Sequence, residues 1–318
     1  MPAPPRTPTT FQGILEEVWW RLDAALDLEM LEWSARLAAV EALEVGTTTI
    51  IDHNETPNAI EGSLSVISDA AAEVGVRVIA AYGVTDRHGP DGARRGLAEN
   101  ERFLRAGGRG MVGLHAAFTC TDETLEAAVG LADDLGVGVH VHVCEGPEDI
   151  EAPVRLGDLS SPDWLLAHCV HLATDHRLQG TIVHNPASNL NNGVGYADPR
   201  RFSNPVALGT DGIGADVLES FRLAYYLRRS VDITAAPESA WDWLATGWDL
   251  APEALLDRVT WSSEHMEPWH MAFTTAVHPE KIEVGGETIW KDGSPTRVDA
   301  SEIRAKADEQ ARRLHARL

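Results

Sequence analysis

A (β/α)8 TIM-type barrel of parallel strands, lacking its first strand, is the fold class this sequence predicts, and three observations predict it. From residue 47 the chain alternates short β-branched runs with helix-length segments. That is the pattern of a parallel sheet, whose strands are covered on both faces and read as near-continuous apolar runs. Seven of these runs finish on a His, Asp or Glu. Chemistry collected at the C-terminal ends of many strands marks a barrel, whereas a doubly wound sheet concentrates it at one switch point. The stretch before residue 47 reads as helical, so of the eight strands a closed barrel needs, the first is unaccounted for.

The elements follow in order. Residues 1–10 (MPAPPRTPTT) hold four prolines and cannot form an interior strand, because proline has no N–H to give the ladder. Residues 12–45 read as one or two long helices. TTTIID then runs into His53, RVIAAYGVTD ends at Asp86, GMVGLH at His115 and GVHVHVCE at Glu145. WLLAH ends at His168, TIVH at His184 and VALGTD at Asp211. Helical patterns at 60–75, 122–136 and 216–230 lie between them. After a helix at 237–247, residues 254–262 and 281–290 look like strands, and a closing helix starts at Ser301 as its cap. The expected division is an incomplete barrel over 1–250 and a small C-terminal β-region with a terminal helix over 251–318.

Composition narrows the partners. With 26 Lys+Arg against 49 Asp+Glu the net charge is −23 over 318 residues, and such a chain repels nucleic-acid phosphates and anionic membranes. Cys120, Cys144 and Cys169 are too few for a disulfide framework, and the N-terminus lacks the pattern of a secretory leader, which predicts a reducing cytoplasm. No apolar stretch approaches the roughly 18 residues of a membrane helix. A small-molecule substrate is the partner left.

HVHVCE at 140–145 is the sharpest local signal. Alternation on a strand sends His140, His142 and Cys144 one way and Val141, Val143 and Glu145 the other. A ligand and an acid three apart still meet where the strand gives way to its loop, so His142 can bind a metal with Glu145 beside it to move a proton. Ordinary strand histidines would read the same. GTDG at 209–212 puts Asp211 at a strand end between glycines, where taken alone a plain turn aspartate is the commoner reading, and AHCVHL and VHNP each offer a histidine that taken singly is more often a satisfied structural residue. It is the convergence of such strand ends that favours a site. Three N/O ligands with one open position make a catalytic zinc site, whose bound water ionises near pH 7. A nearby carboxylate and imidazole supply general acid and base. Such a set suits hydrolysis at an sp2 carbon without a nucleophilic Ser or Cys, and Cys144 and Cys169 read as packing residues. Iron or manganese would fit the same donors. Phosphate-binding GxxxxGK[ST] and dinucleotide GxGxxG patterns are absent.

GTTTIIDH, GLHAAFT, HVHVCE, AHCVHL, HNPASN and GTDG together resemble the amidohydrolase superfamily in its deaminase and chlorohydrolase branch. IIDHNETPNAIEGSL and HNPASNLNNGVGYA look closest to aminohydrolases of the selenium-metabolism type. The resemblance covers roughly residues 12–230 strongly and the tail weakly. It implies a metal-dependent hydrolase that deaminates a small heterocycle or amidine through metal-bound hydroxide. His142 and Asp211 would be the metal ligands at the ends of strands five and eight of the complete barrel, with Asp211 also taking a proton from the bound water. Glu145 would protonate the ring or amide nitrogen of the substrate, His168 would orient or contact the hydrolytic water, and His115 and His184 would line the substrate pocket.

One departure bears on activity. Members carry an HxH pair of metal ligands at the end of strand one and a small β-sandwich half before it, and neither stands in this sequence. Three expectations follow: a longer natural chain that begins upstream of Met1, a homodimer or complementing chain that fills the gap, or an inactive scaffold subunit that kept its pocket. Zinc held by His142 and Asp211 alone should bind weakly.

Overall fold

The computed structural model describes residues 7–318; residues 1–6 of the proline-rich opening lie outside them. All seven expected strands form: β1 (Thr49–Asn54), β2 (Arg77–Val84), β3 (Val112–Ala116), β4 (Val139–Val143), β5 (Leu165–His168), β6 (Thr181–His184) and β7 (Val206–Leu208). They pair in chain order as one parallel sheet. With helices in all the connections but that between β5 and β6, this is a TIM-type barrel lacking one strand, as the alternating pattern predicts. The two outer strands, β1 and β7, flank a cavity of about 540 Å³ lined by residues 45–51 on one side, by Ala207 and Leu208 on the other, and by His140.

The connecting helices follow from their ends. Asp122–Leu135 starts where the Thr121 hydroxyl accepts the Thr124 N–H, and it stops at Gly136, whose φ of 66° is a left-handed turn. The N-terminal stretch divides in two. Phe11–Ile14 and Trp20–Ala25 are joined by a π-helical turn, Leu15–Trp19, and Leu28–Glu44 follows behind its Asp27 cap. The terminal helix Ala300–His315 corrects one expectation. Its cap is Asp299, whose carboxylate accepts the N–H groups of Ser301 and Glu302, so Ser301 lies inside the first turn.

Residues 258–295 form an antiparallel sheet of β8 (Arg258–Trp261), β9 (Pro279–Val284), β10 (Glu287–Lys291) and β11 (Ser294–Pro295). Its Gly285–Gly286 hairpin carries φ values of 58° and 86°, the paired positive angles that a two-residue hairpin turn requires. Ile282, Ile289, Trp290 and Ile303 share one buried core with Leu43, Leu64 and Val74 of the barrel's helices. Arg77 at the start of β2 clasps Asp257 ahead of β8 at 2.5 Å. Among the described residues no helix is long and apolar enough to cross a membrane.

Close strand packing explains Gly113 on β3. A Cβ there would lie 2.2 Å from the Tyr82 carbonyl oxygen and 2.5 Å from its carbon, and backbone cannot swing aside as a side chain can. Gly113→Ala is expected to destabilise the fold by about 1–3 kcal/mol or more, read as a lower urea midpoint. An unchanged midpoint would contradict this packing.

Candidate active site at the mouth of the open barrel

The strands β4, β5 and β7 each carry, at their last position or within three residues past it, a residue with left-handed backbone. Cys144 has φ 47°, His168 φ 72° and Asp211 φ 54°. Non-glycine residues rarely adopt this region, and such positions gather where the surrounding structure holds a functional side chain in place. The turn at Cys144 breaks the alternation expected for HVHVCE. Cys144 joins Val141 and Val143 in the core between sheet and helices instead of pointing with His140 and His142. Its amide donates to Asp149 Oδ2 at 2.8 Å, and the Phe118 amide donates to Asp149 Oδ1 at 2.9 Å. Asp149 thereby ties the loop after β4 to the loop after β3.

The chain then carries Glu145 to the barrel mouth. Its Oε2 lies 3.6 Å from His168 Nε2, which is also 3.8 Å from Asp211 Oδ2. One donor atom from each of these three residues falls within 4.8 Å of the others. Each member is held by a second residue. Asn192 Nδ2 donates to Glu145 Oε1 at 3.0 Å, and His168 Nδ1 donates to Asn189 Oδ1 at 2.8 Å. The Ser188 hydroxyl and the Gly212 amide donate to Asp211. Ser188 and Asn189 lie in the short helix Pro186–Asn191, which starts two residues after His184, and Asn192 caps it. Sequence reasoning met HNPASN only as part of a resemblance and assigned these residues nothing. Three hydrogen-bonding residues within eight positions of a strand end were the available signal.

His142 lies beside this cluster, its ring stacked on His168 with centroids 5.4 Å apart. Its Nδ1 donates to the His115 carbonyl at 2.6 Å, which leaves Nε2 as the free nitrogen. His115 is half-buried, with Nδ1 2.9 Å from the Thr119 hydroxyl and Nε2 3.7 Å from Glu55. His184 is buried against the rings of Tyr196 and Trp243.

These groups shape each other's ionisation. Burial opposes a charge on His168, but Glu145 and Asp211 outweigh it and lift His168 above its ordinary value. Burial would raise the Asp211 carboxyl, yet His168 and His142 hold it below the usual range. Burial pushes His115 and His140 down to about 3. The result is a histidine shifted toward its charged form beside a carboxylate shifted toward its ionised form, next to imidazoles shifted toward neutral.

A cavity of about 330 Å³ opens on the cluster, lined by His142, Glu145, His168 and Asp211 and by His53, Glu55 and His115. His184 is not part of that lining. The N-terminal helical stretch covers the cavity with Trp19, Trp20 and Asp23. Neither this cover nor Glu55 was expected from the sequence. Glu55 is paired with Arg87, whose guanidinium stacks 3.9 Å over the Trp20 ring. Burial, reinforced by Glu55, pushes the Asp23 carboxyl up to about 8. An acid whose folded pKa exceeds its unfolded value contributes most below the unfolded value, and that stability is lost as pH rises toward 8. Asp23→Asn is therefore expected to melt close to the parent near pH 4 and above it at pH 9. Identical melting differences at both pH values would contradict the burial.

The donor set, imidazole nitrogens and carboxylate oxygens on rigid strand ends, fits a divalent ion of the zinc type. Residues 9–243 match the family model described as the amidohydrolase family. A 5'-deoxyadenosine deaminase of Methanopyrus kandleri is 29% identical over 366 residues, covering 96% of this chain and 83% of the relative. A 5-methylthioadenosine/S-adenosylhomocysteine deaminase of Symbiobacterium thermophilum is 30% identical, covering 93% and 78%. Among solved structures, an amidohydrolase from Brucella melitensis superposes with a TM-score of 0.79 at 18% identity, covering 98% of this chain and 85% of that one. A zinc-bound adenosine deaminase from Xanthomonas campestris does so with a TM-score of 0.75 at 20% identity, covering 98% and 81%. Matched over most of its length and carrying the strand-end residues that the resemblance named, the chain belongs to the amidohydrolase family, in its deaminase and hydrolase branch.

Proposed function

We propose that this chain hydrolyses the exocyclic carbon–nitrogen bond of an amino-substituted heterocycle, releasing ammonia, and that adenine nucleosides altered at the 5' position are its substrate class. The convergence of Glu145, His168 and Asp211 within 4.8 Å at the barrel mouth carries this reading. The named relatives act on 5'-deoxyadenosine and on 5-methylthioadenosine or S-adenosylhomocysteine, and a cavity of about 330 Å³ lies at the small end of ligand pockets.

His142 through Nε2 and Asp211 would hold the ion, with zinc favoured by the imidazole donors. A divalent ion bound there supplies Lewis-acid activation of water for attack at an sp2 carbon. The protein's own groups move the protons. Asp211 accepts one from the attacking water. Glu145, steadied by Asn192, delivers one to the departing nitrogen, while His168 Nε2, set by Asn189, orients the water and stabilises charge on its oxygen. The C–O bond forms first and makes the carbon tetrahedral, and the C–N bond then breaks as the protonated nitrogen leaves as ammonia. Trp19, Trp20 and Phe118 offer flat apolar surface to the heterocycle, His115 contacts it from β3, and Glu55 offers carboxylate oxygens to sugar hydroxyls.

The test uses the full chain loaded with zinc and supplied with 5'-deoxyadenosine, 5'-methylthioadenosine and S-adenosylhomocysteine. Ammonia release together with the ultraviolet shift from adenine to hypoxanthine is the expected result. A zinc-loaded, folded chain that releases no ammonia from any of the three overturns this substrate class.

The open seam favours a second, partner-dependent reading. The free edges of β1 and β7 and the cavity between them suit one added strand, contributed by a second copy or a complementing chain. Light scattering on the purified protein is then expected to give a dimer or heteromer. A stable monomer with full activity overturns that arrangement.

A further inference from the structure

The imidazole of His53 is used by nothing in the mechanism above. It stands next to the end of β1, with its ring centroid 4.5 Å from that of His142 and 4.7 Å from that of His140. Both of its nitrogens are buried, and among the described residues neither has a hydrogen-bond partner. An unsatisfied buried polar atom costs about 1–3 kcal/mol, so an imidazole with two of them needs an explanation. Gly83 on β2 leaves the space the ring occupies, since a Cβ at Gly83 would lie 2.4 Å from His53 Nε2.

A shared electrophile would give an unpartnered imidazole among imidazoles its missing partner. Two histidines bound to one tetrahedral zinc, each at about 2.0–2.1 Å, place their ring centres about 5 Å apart. His53 and His142, with centroids 4.5 Å apart, are close to that spacing. His142 also shows the second half of the pattern, because a metal-bound histidine characteristically donates its other N–H to a carbonyl, as its Nδ1 does to His115.

We propose that His53 is a protein ligand of the divalent ion held with His142 and Asp211, so that β1, β4 and β7 each supply one donor. The inference rests on the reading that His142 and Asp211 hold the ion. Two nitrogens and one oxygen with a fourth position open complete the ligand count of a catalytic zinc site from within this chain, without the HxH pair. His53 thereby compensates for the ligands of the missing strand.

The experiment measures zinc affinity on the full chain, stripped with a chelator and titrated with zinc against a chromophoric competitor. It is repeated with cobalt, whose visible absorption reports the number and type of ligands. His53→Ala is expected to weaken zinc binding by about 100-fold or more, beyond the 10–100-fold typical of losing a residue that only hydrogen-bonds to a ligand, and to change the cobalt spectrum. His53→Cys, which restores a donor, is expected to recover affinity. His53→Gln keeps the bulk should the alanine variant fold poorly, and apo-protein melting curves establish that the variants are folded. If His53→Ala and His53→Gln bind zinc within threefold of the parent while His142→Ala loses it, His53 is no ligand and the His142–Asp211 reading stands. If His142→Ala binds as the parent does and His168→Ala or Glu145→Gln loses the ion, the ion sits on the Glu145, His168 and Asp211 triad and both readings fall. A parent chain that takes up no zinc also overturns both.

Discussion

Glu145→Gln is expected to lower kcat for deamination by about 10²–10⁴-fold, the range for losing a positioned general acid, with KM and zinc affinity close to the parent's. The geometry explains why the loss should be confined to the chemical step. Glutamine keeps the length of the side chain and an oxygen that accepts the Asn192 amide at Oε1, so the loop after β4 and the cavity wall keep their shape. What disappears is the proton-carrying oxygen that faces His168 Nε2 at 3.6 Å. A residue that only shaped the pocket would raise KM and leave kcat nearly unchanged. Steady-state kinetics alongside zinc titration separates these outcomes. An unchanged kcat removes Glu145 from proton transfer, and a parallel loss of zinc makes it a ligand instead.

The barrel was legible in the sequence because parallel strands write themselves as apolar runs, and the strand ends were legible because their last residues change abruptly to His, Asp or Glu. Register on a strand was less legible. The rule of two puts Cys144 with His142, but the left-handed turn at φ 47° sends its thiol into the outer core, and nothing in HVHVCE announces that turn. His184 shows the same limit. Its position at the end of β6 was visible, but its packing against Tyr196 and Trp243 depends on residues 12 and more positions away. The cavity's cover was invisible for a different reason. Trp19, Trp20 and Asp23 belong to a helical stretch whose π-turn, Leu15–Trp19, shifts its faces, so apolar periodicity does not say which side meets the site. Asn189 and Asn192 are legible only after the fold places the helix that follows β6 over the end of β5.

That placement makes the second large effect specific. His168→Ala is expected to cost about 10²–10⁴-fold in kcat, since it removes the imidazole set between Glu145 and Asp211. Asn189 touches neither the carboxylates nor the cavity and acts through the ring. Its Oδ1 takes the Nδ1 proton of His168 at 2.8 Å, which fixes the ring plane and leaves Nε2 facing the two acids. Asn189→Ala is therefore expected to cost about 10–100-fold, less than loss of the ring itself. Asn189→Asp keeps an acceptor and should recover part of the rate, while strengthening the positive charge on His168. That charge is already favoured by Glu145 and Asp211 against burial, so the aspartate should move the His168 titration further up, and the alanine should move it down. The limb of the pH–rate profile governed by His168 is then displaced in opposite directions in the two variants. A merely structural Asn189 would lower the rate or the melting temperature without moving that limb. The double variant completes the test, because a residue acting only through His168 has nothing left to influence once the ring is gone. His168→Ala with Asn189→Ala should be no slower than His168→Ala alone, and a multiplicative loss would show that Asn189 acts by another route.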